Sequence, residues 1–225
     1  MSMSTNPDLA ADLARFHLVV TRGVAVAREH CQAFARDGFP DATTREGFIR
    51  YVEALVTVLD GHHLTEDEMV FPYLQTKLPD APYAALMADH QIVVRVLKEI
   101  SAILTALRGG DDPRPALADL APVLARLDAA WHPHRQTEEA HFSTENLAPL
   151  IPLDEQARVG REWAEHGQKH GGPPALAVPF ILYNLPPDER AIMLHKMPPV
   201  VTQELMPGPW KEQWGPMEPF LLPQT

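Results

Sequence analysis

Six residues of this chain stand at positions where packed helices are normally apolar: His17, His62, Glu66, His90, His134 and Glu138. Two of the histidines precede a glutamate by four residues, in "HHLTE" from His62 to Glu66 and "HRQTE" from His134 to Glu138. That spacing sets each imidazole and its carboxylate on one helix face, a turn apart. Imidazoles and carboxylates are costly to bury without partners, so six of them need a common reason. A lone core histidine is usually a satisfied hydrogen-bonding residue; this repetition points instead to bound cations. Four imidazoles and two carboxylates suit iron, manganese or zinc by ligand hardness. The coordination positions left open favour redox-active iron over a closed structural zinc site. His141, on the same seam, is a candidate additional ligand.

Long helices must carry these residues. Turn-forming stretches near 36–44 ("RDGFPDATT"), 71–83 ("FPYLQTKLPDAPY") and 108–115 ("RGGDDPRP") divide the first 150 residues into four segments. Asp41 or Thr43 is expected to cap the second helix, Asp80 the third and Asp112 the fourth, with Pro82 and Pro113 in first turns. Each segment has a seam in steps of three and four. The second reads Phe48, Val52, Leu55, Leu59, His62, Glu66, Met69, and the fourth runs from Leu117 to Trp131, His134, Glu138 and His141. Short connections between such helices predict an all-α, up-down-up-down four-helix bundle over residues 1–150. His17 and His90 fall about ten residues into their helices and His62 and His134 about twenty, so antiparallel neighbours bring all four to one level. The two halves repeat as "His, then His-x-x-x-Glu", and both carboxylates can bridge two ions.

From about residue 151 the composition changes. "HGGPPALAVPFILYNLPPDERAIMLHKMPP" and "MPGPWKEQWGPMEPFLLPQT" allow only short helices joined by extended chain. Helices are expected at 154–170 and 187–197, in a Pro-rich extension (151–225) packed on the bundle as a cover. The net charge of −11 argues against nucleic acid as a partner, since that needs Lys and Arg to replace counterions. No stretch approaches the roughly 20 apolar residues of a membrane helix. "MSMSTNPDLAADLARF" lacks the basic flank and apolar centre of a secretory leader. Cys31 is the only cysteine, which excludes an internal disulfide and suits the cytoplasm.

The pattern H…HxxxE…H…HxxxE over four helices resembles the hemerythrin-like, or HHE cation-binding, family, here across about residues 10–145. The resemblance implies a non-heme di-iron centre, oxo- or hydroxo-bridged, with His17, His62, His90 and His134 as terminal ligands and Glu66 and Glu138 as bridges. Members of that family carry oxygen, sense oxygen or iron, or react with peroxide or nitric oxide. The oxygen carriers have a second histidine one turn after the third-helix ligand, where this chain has Val94. Their last motif is one residue longer and ends in aspartate. Reversible oxygen carriage is therefore not implied. Ferritin-like di-iron bundles use Glu-x-x-His, in reverse order, which this chain lacks.

Two function readings follow. One is a di-iron protein that binds or reacts with dioxygen, peroxide or nitric oxide. The other is a sensor whose metal occupancy controls docking of the extension. Other residues read more simply. His63, with Asp67, Glu68 and Glu139, is placed on the helix flank, with a hydrogen bond to a ligand as its closest role. His132 is off the seam, and Pro133 beside it is expected to kink the fourth helix. Cys31 fits as a small core residue, and Trp131 reads as core. His166 and His170 share the face of a short helix. Trp210, Trp214 and Phe220 read as tail anchors that limit access to the metals.

Overall fold

Four long helices carry the seams, and two of them start at an aspartate that accepts from a free N–H group. The computed structural model describes residues 7–223; residues 1–6, on which the reading of the N-terminus partly rests, lie outside them. α1 (Leu9–Asp37) is capped by Asp8, whose carboxylate accepts from the Ala11 N–H. α2 (Ala42–Thr65) is capped by Asp41, which accepts from Thr44. A π-helical turn, Glu66–Val70, links α2 to α3 (Phe71–Gln75). α4 (Tyr83–Gly109) and α5 (Arg114–His141) complete the four. Asp80 does not cap α4; Pro82 occupies the cap position and no side chain bonds there. Pro113 likewise caps α5, so both prolines stand one position ahead of the expected first turn. Asp112 still accepts from the Arg114 N–H at 3.0 Å.

α1 packs against α2 and α5, and α4 packs against α2 and α5. The apolar core is in two parts. The larger cluster includes Val20, Val24, Phe48, Leu55, Leu97, Ile100, Leu124 and Trp131. The smaller joins Leu9 of α1, Phe71 and Leu74 of α3, Tyr83 and Leu86 of α4, and Phe142 after α5. Along all four helices the polar seam residues fall between these two clusters.

The π turn alters the second seam. The N–H of Phe71 bonds the carbonyl of Glu66, five residues back, which adds a residue to that turn. The seam expected at Met69 therefore passes to Val70, which is buried while Met69 is only partly so. Pro72 gives a physical reason: in a regular helix its ring would meet the carbonyl four residues back, and a wider turn relieves that clash.

The extension is helical: α6 (Thr144–Leu147), α7 (Leu153–His170), α8 (Pro174–Tyr183), α9 (Pro187–Lys196), a π turn (Val201–Leu205), α10 (Lys211–Trp214) and a 3-10 turn (Gly215–Phe220). The expected helices at 154–170 and 187–197 correspond to α7 and α9. α8 was not expected, because its prolines read as breaks. Pro174 instead sits in the first turn, where no N–H is needed, and Pro179 lies inside the helix. No strand occurs among the described residues, and none of their helices is long and apolar enough to cross a membrane.

Two glycines let the extension approach α2 closely. A Cβ on Gly61 would stand 2.8 Å from the Cα of Gly171, and one on Gly47 would stand 1.9 Å from the carbonyl oxygen of Pro216. Phe220 packs its ring against Phe34, Phe48 and Tyr51. Trp214 is buried and donates from Nε1 to the Met206 carbonyl at 2.9 Å. These anchors lie on the larger cluster, not over the polar layer, so they do not screen the candidate metal site. α7 reaches that level by way of Thr65 and Glu68.

Candidate metal centre

All six seam residues are buried: His17, His90, His134 and Glu138 completely, Glu66 at 1% and His62 at 8% exposure. His62 is thus the member nearest to solvent. The structure brings all six together from four helices, and with them His63, which is 1% exposed rather than on the flank. Two overlapping groups form, His17–His62–Glu66–Glu138 and His63–Glu66–His90–His134. Within each, one ligand atom per residue lies within 4.8 Å of every other.

Glu66 belongs to both groups through different oxygens. Its Oε1 is 3.3 Å from His62 Nε2, and its Oε2 is 3.5 Å from His90 Nε2. Glu138 Oε2 lies 3.1 Å from His17 Nε2 and 3.3 Å from His134 Nε2. His90 Nε2 and His134 Nε2 face each other at 3.2 Å. Most of these inward atoms have no hydrogen-bond partner: Nε2 of His17 and His62, both nitrogens of His63, and both oxygens of Glu66 and of Glu138. Buried polar groups are nearly always paired, so such a concentration of orphaned acceptors is the signature of a cation-binding cavity. The residues fit bound metal cations.

The outer atoms are organised to suit. His17 Nδ1–H donates to Glu139 Oε1 at 3.0 Å, and His90 Nδ1–H donates to Asp67 Oδ1 at 2.7 Å. A proton held on Nδ1 leaves Nε2 with a free lone pair aimed inward. Aromatic rings fix the imidazoles further. Phe16 stacks on His62 with centroids 5.0 Å apart, and Phe71 stacks on His90 at 5.4 Å. Trp131 meets His17 edge-on at 5.4 Å and donates from Nε1 to Thr21 Oγ1 at 2.9 Å.

Proton affinities follow from burial and crowding. Burial, with neighbouring imidazoles, holds His62 and His63 well below the ordinary histidine range. Burial also lowers His90, reinforced by His134 and opposed by Asp67. Burial pushes Glu66 well up, and the nearby charge of Glu138 adds to it. For Glu138 burial pulls upward too, but His134 and His17 prevail and lower it. For His17 burial pulls down, and Glu138 and Glu139 outweigh it. Two carboxylates this close repel, which is the charge a cation between them would offset.

The remaining candidates lie elsewhere. His141 is only partly buried, and its Nδ1 donates to the Thr137 carbonyl of its own helix at 2.8 Å; it joins neither group. His132 donates to the Asp128 carbonyl, and Pro133 stands inside α5. His166 and His170 are outside both groups. His166 instead donates from Nε2 to Glu68 Oε2 at 2.9 Å and meets Thr65 Oγ1 at 3.0 Å. Asp67 and Glu139 serve as acceptors for His90 and His17. His63 is the member of these groups that the seam pattern placed elsewhere. The signal was present in "HHLTE": His62 and His63 stand four and three residues before one carboxylate, and both spacings are neighbours on a helix.

The family model of the hemerythrin HHE cation-binding domain matches residues 8–142. The chain belongs to the hemerythrin HHE family. That span begins at the cap of α1 and ends just after α5, and so contains every member of both ligand groups. Both groups offer imidazole and carboxylate donors, as a cation-binding domain needs. No curated protein and no solved structure matches the chain.

Proposed function

We propose that this HHE domain is a non-heme di-iron protein that binds or reacts with dioxygen, peroxide or nitric oxide at a carboxylate-bridged centre. The observation that carries this reading is Glu66, buried, unpaired and common to two four-residue ligand groups. Iron in such a setting supplies one-electron exchange and open coordination positions. The chain's own residues do the rest. Glu66 and Glu138 supply negative charge between the two positions. Glu139 and Asp67 hold the His17 and His90 rings in the tautomer that presents Nε2. Phe16, Phe71 and Trp131 pack against the His62, His90 and His17 rings and hold their orientation. His62, the least buried member, marks the approach for a small ligand.

The same reading takes residues 1–150 as an up-down-up-down bundle, since the short connections of Gly38–Asp41 and Gly110–Pro113 favour antiparallel neighbours. Residues 151–223 form its helical cover. A cytoplasmic setting agrees with the single buried cysteine, and the acidic balance disfavours nucleic acid. The test is metal analysis of the purified protein, followed by anaerobic addition of oxygen, peroxide and nitric oxide watched by absorption. Two irons per chain and a spectral response to one of these ligands are expected. Absence of stoichiometric iron would overturn the reading.

A second reading, a sensor, is favoured by one contact. His166 of α7 bonds Thr65 and Glu68, on either side of the bridging Glu66. Metal occupancy that shifts Glu66 would then alter docking of the extension. Limited proteolysis with and without metal tests this: protection of α7 on loading supports it, and equal cleavage removes it.

A further inference from the structure

We propose that His63 is itself a metal ligand, which makes the two positions chemically unequal. The inference rests on the bimetallic reading above and goes beyond the six seam residues. One position then has three imidazoles, His63, His90 and His134, with Glu66. The other has two imidazoles, His17 and His62, with Glu66 and Glu138.

No hydrogen bond accounts for the place of His63. It is buried, and neither ring nitrogen has a hydrogen-bond partner. A buried imidazole always carries at least one polar N–H or lone pair that must be satisfied, and an apolar residue would fill the same space without that cost. Its ring stacks on His90 with centroids 4.0 Å apart and 12° between planes, and meets His134 at 5.2 Å. These are the two other imidazoles of its group. The residue one turn after His90 on α4 is Val94, which offers no donor. The further imidazole beside His90 comes from α2.

The chemical consequence is selectivity. Imidazole suits zinc and ferrous iron, whereas carboxylate-rich positions suit manganese. The nitrogen-rich position should fill first with zinc or cobalt, and the carboxylate-rich one should accept manganese alongside.

The experiment titrates metal-free full-length protein anaerobically with Co(II), and separately with Zn(II) and Mn(II). Bound metal is read by equilibrium dialysis and by the cobalt absorption bands. Wild type is expected to bind two ions in two steps of unequal affinity. His63→Phe keeps a ring but removes both nitrogens. It should weaken the tighter step at least about tenfold and leave the other in place, while His63→Glu should restore two-ion binding with zinc preference reduced. Because a ring substitution in a packed site can fail to fold, a second measurement uses wild type alone. Long-range proton–nitrogen NMR of the zinc-loaded protein should place one His63 nitrogen at the shift of a coordinated imidazole. Unchanged two-ion affinity in His63→Phe, or uncoordinated shifts for both His63 nitrogens, overturns the proposal while leaving the bimetallic reading intact. Fewer than two ions in wild type overturns the bimetallic reading itself.

Discussion

Glu66 is the residue on which most of the site chemistry converges. Its two oxygens face His62 and His90 separately, so one substitution removes a donor from both positions. Glu66→Ala is therefore expected to reduce bound metal from two ions toward none. His17→Ala should affect only the position it helps to form. Metal content per chain after dialysis checks both outcomes. Cys31 illustrates the opposite case, a residue with reactive chemistry that its surroundings suppress. It is buried, its Sγ reaches only the Leu117 carbonyl at 3.5 Å, and burial pushes the thiol up to about 11. The thiolate is the reactive form, and it forms only as pH approaches that value. At pH 8 the folded protein should resist iodoacetamide, and denatured protein should react readily. Mass spectrometry of the alkylated chain reads the difference.

Among the elements, the four long helices place a polar layer between two apolar clusters, and those clusters hold it in register. Leu124 lies in the larger cluster and is fully buried. Leu124→Ala should cost about 2–5 kcal/mol through lost burial and the cavity left behind, measured by denaturant unfolding of the metal-free protein. The π turn at Glu66–Val70 is the one element that departs from a regular seam, and its first residue is the shared carboxylate. Such turns recur at functional positions. Here the turn changes the phase of the helix between the ligands and the smaller cluster, so that Val70 and Phe71, rather than Met69, face inward.

At the scale of the whole molecule, the extension is tied down by cations as well as by apolar contact. Arg22 of α1 donates to Asn184 Oδ1 and to the Phe220 carbonyl, and the Tyr51 hydroxyl also donates to Asn184 Oδ1, at 2.7 Å. Within the extension itself, buried Arg190 donates to the carbonyls of Leu182, Leu185 and Pro223 and holds α8 against the end of the described chain. The close approach at Gly47 makes the docking sensitive to one methyl group. Gly47→Ala should force the Gly215–Phe220 turn off α2 and cost about 1–3 kcal/mol by overpacking. Faster proteolysis near residues 210–220 should accompany a lower melting temperature. Metal content should stay unchanged, because that turn packs on the larger cluster and not on the polar layer.

By themselves, the residues in order determined the long helices, the buried seams, and the six polar positions that interrupt them. They did so because helical periodicity is local: a His four residues before a Glu shares its face wherever the helix lies. The short helices α7 and α9 were legible for the same reason. What the chain order could not decide was anything that depends on the packing of one helix against another. His63 reads as a flank residue on an ideal wheel, yet its surroundings are made by α4 and α5. His141 reads as a seam residue, yet it bonds its own backbone beyond the level where the helices converge. Asp80 looked like a cap, but the cap of α4 was set two positions later, at Pro82. The tail aromatics were recognisable as anchors, but only the fold located them on the larger cluster, away from the metal layer. Periodicity assigns a face; tertiary contact assigns what that face meets.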